Sequence, residues 1–123
     1  MSTFEQLKEN IESASRSGVG TLTPEALEIV TRVREKYKEL SPIACTGCNY
    51  CMPCPNGVNI PRNFELYNEA HMYNIYEVNR KAYEELGDAR ANFCIECGNC
   101  ESVCPQHLPI IEYLKEVVSY FEG

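Results

Sequence analysis

No stretch of this sequence approaches the ~18 consecutive apolar residues that a membrane-crossing helix needs. The first residues, Met1-Ser2-Thr3-Phe4-Glu5, lack the basic start and apolar run of a secretory leader. Basic residues are outnumbered, 11 Lys and Arg against 18 Asp and Glu, for a formal charge of −7. That balance excludes the basic face that nucleic acid requires, and it leaves an acidic surface suited to solubility or to a basic protein partner. Glycine and proline, seven of each in 123 residues, are too few for a collagen-like or low-complexity chain. No alternating apolar run survives four residues, so strands are not expected. There are no strand–helix repeats and no glycine-rich nucleotide loop after a strand, and the chain is too short for the ~250-residue (β/α)₈ barrel. At 44% hydrophobic and 24% charged residues, the composition is that of one globular domain, with room for an appended element.

What the sequence has in excess is cysteine, eight in all. Without a leader the expected compartment is a reducing cytoplasm, where disulfides are rare. The cysteines fall into two runs. Cys94, Cys97, Cys100 and Cys104-Pro105 follow the ferredoxin spacing C-x₂-C-x₂-C-x₃-C-P, and Cys45, Cys48, Cys51 and Cys54-Pro55 form a sister run with a shortened last spacing. Three thiolates on one tight loop can hold three irons of a cubane, but the fourth iron points away from that loop. In two-cluster ferredoxins the fourth cysteine of each run ligates the other cluster. The expectation is therefore two [4Fe-4S] clusters, one on Cys45, Cys48, Cys51 and Cys104, the second on Cys54, Cys94, Cys97 and Cys100. Gly47, Gly57 and Gly98 permit positive φ and close approach of backbone N–H groups to sulfur. Zinc in Cys₄ sites and disulfides are the rival readings of the same cysteines; zinc sites ordinarily use two separated pairs, not triples ending in Cys-Pro. His107 is expected to cap a helix or face solvent, His71 to pack, and Tyr50 and Phe93, beside cysteines, to shield the clusters.

The runs belong to an internal repeat. Cys45, Cys48 and Cys51 fall on Cys94, Cys97 and Cys100 at an offset of 49, and from Cys54 onward the offset becomes 50. It then persists: Pro55 falls on Pro105, Val58 on Leu108, Ile60 on Ile110, Phe64 on Leu114 and Tyr67 on Val117. Each half is a cysteine loop followed by an amphipathic helix, and an approximate two-fold relation is expected.

The rest of the chain reads as helix, so the fold class is all-α, an α-helical ferredoxin-like domain with two pseudo-symmetric halves. Ser2 and Glu5 form a capping box for a helix over residues 2–15 with Phe4, Leu7, Ile11 and Ala14 on one face, which must pack on something. Ser15 to Thr21 reads as a linker, and a boundary is placed near residue 22, giving segments 1–22 and 23–123. Thr23-Pro24 starts a second helix that ends at Ser41-Pro42. Two further helices lie between Pro61 and Gly87, and Pro109 opens the last.

The segments Cys45-Thr46-Gly47-Cys48-Asn49-Tyr50-Cys51-Met52-Pro53-Cys54-Pro55 and Asn92-Phe93-Cys94-Ile95-Glu96-Cys97-Gly98-Asn99-Cys100, with Cys104-Pro105-Gln106-His107, resemble the C-terminal dicluster domain of the ferredoxin-bearing aldo/keto reductases. The short Cys51–Cys54 spacing also belongs to that family's pattern. Met1 to Ile11 is similar to the end of the reductase barrel, which would make Met1 an internal methionine and residues 1–22 a remnant of a preceding domain. The resemblance implies an electron-transfer module attached to a nicotinamide-dependent oxidoreductase, partnered by the fused reductase or another redox protein. No catalytic residue of that family can be matched in this chain. The alternatives are a structural iron–sulfur or zinc domain used in assembly, and an independent ferredoxin-like subunit of a larger redox complex.

Overall fold

A computed structural model describes residues 2–123. All regular structure among them is helical: α1 (Phe4–Arg16), α2 (Pro24–Leu40), α3 (Ile60–Tyr73), α4 (Tyr76–Glu84), the short α5 (Asn99–Ser102) and α6 (Ile110–Glu122), with 3₁₀ turns at Gly87–Ala89 and Ala91–Phe93. The chain divides into two compact units, one ending at Arg34 and one running from Glu35 to Gly123, so the division falls within α2.

In the first unit, α1 starts one residue later than the capping box at Ser2 and Glu5 implies. Thr3 caps it, its hydroxyl accepting from Gln6 N at 3.2 Å, while the Gln6 side chain reaches back to Ser2 N at 2.9 Å. Both registers offer a hydroxyl followed three residues on by a long polar side chain, and Gln6 decides between them. Thr23 caps α2 through Ala26 N, with Pro24 at the first helical position as read from sequence. Neither α1 nor α2 buries a residue; Phe4 and Ile11, on the apolar face expected to pack, are 80% and 56% exposed.

The second unit holds the core. α3 begins at Asn59, whose side chain accepts from Arg62 N, and Pro61 occupies the first turn, where a missing N–H leaves nothing unsatisfied. Its buried face runs Ile60, Phe64, Tyr67 and Ala70, and α6 answers with Ile110, Leu114, Val117 and Phe121. Both follow the helical spacing that keeps one stripe on one side. α4 contributes Tyr83, fully buried, which stacks on Phe121 at 4.9 Å and donates its hydroxyl hydrogen to Glu122 at 2.7 Å. His71 lies against Tyr67 and Tyr120, at centroid distances of 4.3 and 4.5 Å.

The repeat is visible in the backbone. Gly57 N–Cys54 O, Ile60 N–Val58 O and Asn63 N–Asn59 O recur fifty residues on as His107 N–Cys104 O, Ile110 N–Leu108 O and Tyr113 N–Pro109 O; Met52 N–Asn49 O recurs at forty-nine as Glu101 N–Gly98 O. Positive φ recurs as well. Gly47 pairs with Glu96, Asn49 with Gly98, and Gly57 with His107. Each left-handed position has glycine in one half only, so the partner residue adopts the conformation because the loop around it demands it.

Candidate metal centre

Polar side chains of α3 and its neighbours fasten the two cysteine loops in place. Asn68 makes two bonds to the backbone of Ile43, accepting from its N–H at 3.0 Å and donating to its carbonyl at 2.7 Å, which fixes the chain two residues before Cys45. Asn56, just beyond Cys54-Pro55, donates to Phe93 O at 2.6 Å, and Asn59 N and Asn63 Nδ2 both donate to Ala89 O. These bonds hold the end of the first run against the start of the second. None is an obvious signal in the sequence, because an asparagine that bonds a distant backbone looks like any turn residue.

Two hollows of similar size result. The first is lined by Cys45, Cys48 and Cys51 from the first loop and by Cys104 from the second. The second is lined by Cys94, Cys97 and Cys100 and by Cys54. Repeat-related apolar residues wall both: Leu108 and Phe64 in the first correspond to Val58 and Leu114 in the second, and Ile60 borders the two. All eight cysteines are free thiols. Among the described residues no three His, Cys, Asp or Glu side chains converge closely enough to hold a single metal ion. A tetrahedral zinc site, with Zn–S of about 2.3 Å, draws four sulfurs to one point. Here the thiols ring a volume instead, which suits a polynuclear cofactor.

Exposure follows the repeat. Cys48 and Cys97 are exposed, and the other six are half-buried. Burial pushes the Cys51 thiol up, with Cys45, Cys48 and Cys104 adding to the shift. Burial likewise pushes its counterpart Cys100 up to about 11, with backbone N–H groups of Glu101 and Cys100 acting against it. Thiols so placed keep their protons unless a metal takes the proton's place. Backbone N–H groups also reach sulfur, as Glu96 N does to Cys94 Sγ at 3.4 Å, from a left-handed residue.

The flanking aromatic residues differ from expectation, and His107 faces solvent as expected. Tyr50 is 69% exposed and lines neither hollow, so it does not shield one. Phe93 is at the exposed margin, with the Arg90 guanidinium over its ring. His107 is exposed at φ 51°, in the place of Gly57, serving the turn after Cys104.

Compared with known proteins, residues 44–108 match the profile of a family described as "4Fe-4S dicluster domain". Among curated proteins, one of the subunits of an ion-translocating oxidoreductase complex from Buchnera aphidicola subsp. Acyrthosiphon pisum (strain APS) is 32% identical over 85 residues, which is 68% of this chain. The aligned region spans 16% of that relative's length. No solved structure matches the chain.

Proposed function

Starting from the fact that this chain belongs to the 4Fe-4S dicluster domain family, we propose that it carries two [4Fe-4S] clusters and relays single electrons within a larger redox complex. It is an iron–sulfur electron-transfer domain. The finer reading assigns Cys45, Cys48, Cys51 and Cys104 to one cluster, and Cys54, Cys94, Cys97 and Cys100 to the other. The observation that carries it is the lining of the two hollows, three thiols from one loop and the fourth from the other in each.

A bound [4Fe-4S] cluster takes up and returns one electron. The chain's own residues supply the rest. Thiolates anchor the irons, Leu108, Phe64, Val58 and Leu114 exclude water, and N–H groups such as that of Glu96 stabilise negative charge on sulfur. The exposed Cys48 and Cys97 would place one edge of each cluster nearest to solvent, where a redox partner could approach. A redox-complex protein among the relatives supports membership in such an assembly. Among the described residues no helix is long and apolar enough to cross a membrane.

A second reading, favoured by the cysteine pattern and by the likeness of Met1 to Ile11 to a barrel end, makes this the tail of an aldo/keto reductase. An in-frame barrel upstream of Met1 decides between the two. Iron and acid-labile sulfide analysis of anaerobically purified protein tests the cluster content, with about eight of each per chain expected. Bound zinc, or a single cluster, would sink the proposal. A cluster that dithionite never reduces would leave the domain a structural staple.

A further inference from the structure

The two hollows have the same ligand set and matching apolar walls, but not the same charge. We propose that Glu101 makes the cluster of the second hollow the lower-potential one, so that an electron held by this chain rests on the cluster of the first. The inference rests on the two-cluster reading above.

Glu101 follows Cys100 within α5, and its carboxylate accepts from Ile111 N at 2.9 Å. Ile111 lines the second hollow. In the first half the same two positions are Met52 and Pro61, and Pro61 lines the first hollow. Proline has no N–H to satisfy, and methionine has no charge. The first half thus has neither donor nor carboxylate here, whereas the second has both. α6 receives no side-chain cap from Pro109, so Glu101 does for α6 what Asn59 does for α3, but with a full negative charge beside a cluster ligand.

The other repeat-related charges do not cancel this. Lys115 pairs with Glu96 at 2.8 Å beside the second loop, and Arg62 pairs with Glu65 at 2.6 Å beside the first. Each pair is neutral as a unit. Glu112 stands where Arg62 stands, which adds a further carboxylate to the second half. Glu69 lies about 12 Å farther along α3 than Pro61, at 1.5 Å per residue. Negative charge close to a half-buried cluster disfavours its reduced form, which is the more negative of the two. An electron passing from the second cluster to the first oxidises the one and reduces the other, and this downhill direction follows from Glu101.

The test is a redox titration of the full chain followed by electron paramagnetic resonance, with Cys97→Ser used to assign the second hollow's signal. Glu101→Gln keeps an oxygen for Ile111 N–H and removes the charge. It should raise the second cluster's potential by about 59 mV, a tenfold gain in its one-electron reduction equilibrium, and leave the first cluster's potential unchanged, while melting falls slightly because a neutral amide caps α6 less strongly than a carboxylate. The double variant Glu101→Met with Ile111→Pro copies the first half, leaves no orphaned donor, and should give the same rise should Glu101→Gln fold poorly. A Glu101 that serves only as a helix cap predicts altered melting with unmoved potentials. Iron-replete protein whose second-cluster potential ignores both variants, or whose second cluster is already the higher, overturns this inference alone. Protein without iron–sulfur clusters overturns it together with the proposed function.

Discussion

Helices α2 and α3 are built on the same principle and end differently. Both start at a side-chain cap followed by proline in the first turn, and both carry an apolar stripe at helical spacing. Yet α2 buries nothing, and α3 buries Ile60, Phe64, Leu66, Tyr67 and Ala70. Periodicity settles that a segment is a helix and which face is apolar. It does not settle what covers that face. In the second unit the covering elements are brought by the cysteine loops, which return the chain so that α6 meets α3. Burial, and with it most of the stabilisation, is therefore concentrated where the clusters are.

The sharpest way to test that contrast is to remove the iron. Metal binding in small metallo-domains contributes on the order of 10 kcal/mol to folding. Anaerobic chelation is expected to abolish hydrogen-exchange protection at core positions such as Phe64 and Val117, and to reduce the helical circular dichroism strongly. Core amides that stay protected without iron would show that the helices assemble by themselves. Cys104→Ala is the next largest perturbation. It should release about half of the iron, and the surviving cluster should be the one held with Cys54; if the cluster beside Cys94 is lost first, ligation is local and not crossed.

A matched pair of truncations addresses packing directly. Leu66 is buried in α3 and borders neither hollow, so Leu66→Ala should cost about 2–5 kcal/mol in denaturant unfolding. Leu27 in α2 is 50% exposed, and Leu27→Ala should stay within about 0.5 kcal/mol. Equal costs would mean that the α2 face is covered in the full assembly.

The smallest effect concerns Tyr83. Burial, then its bond to Glu122, push its hydroxyl well above the ordinary tyrosine range, with Arg90 opposing. A raised folded value means that its contribution is complete below the unfolded value of about 10 and is lost as pH rises beyond it. Tyr83→Phe should cost about 1 kcal/mol at neutral pH. It should also flatten the fall in stability above pH ~10, measured as the difference between wild-type and variant unfolding curves.

Cysteine spacing, the proline and glycine punctuation, and the shift of offset from 49 to 50 are local properties, so the sequence by itself determined an all-helical chain with paired cysteine loops. The helix starts at Thr23-Pro24 and near Pro61 were readable for the same reason, because a cap and a first-turn proline act within four residues, and Pro109 marked the start of α6 by fixing φ just before it. The spacing of the two runs already implied that Cys54 and Cys104 serve the opposite loops; the tertiary structure supplies the bonds that bring them there, such as Asn56 to Phe93, made 37 residues apart. It also decided that Asn49, Glu96 and His107 take left-handed backbone, that Tyr50 faces solvent, and that Glu101 caps α6. These outcomes depend on what the far half of the chain supplies as donor, wall or charge. Spacing along the chain records that a partner is needed, and only folding brings one within bonding distance.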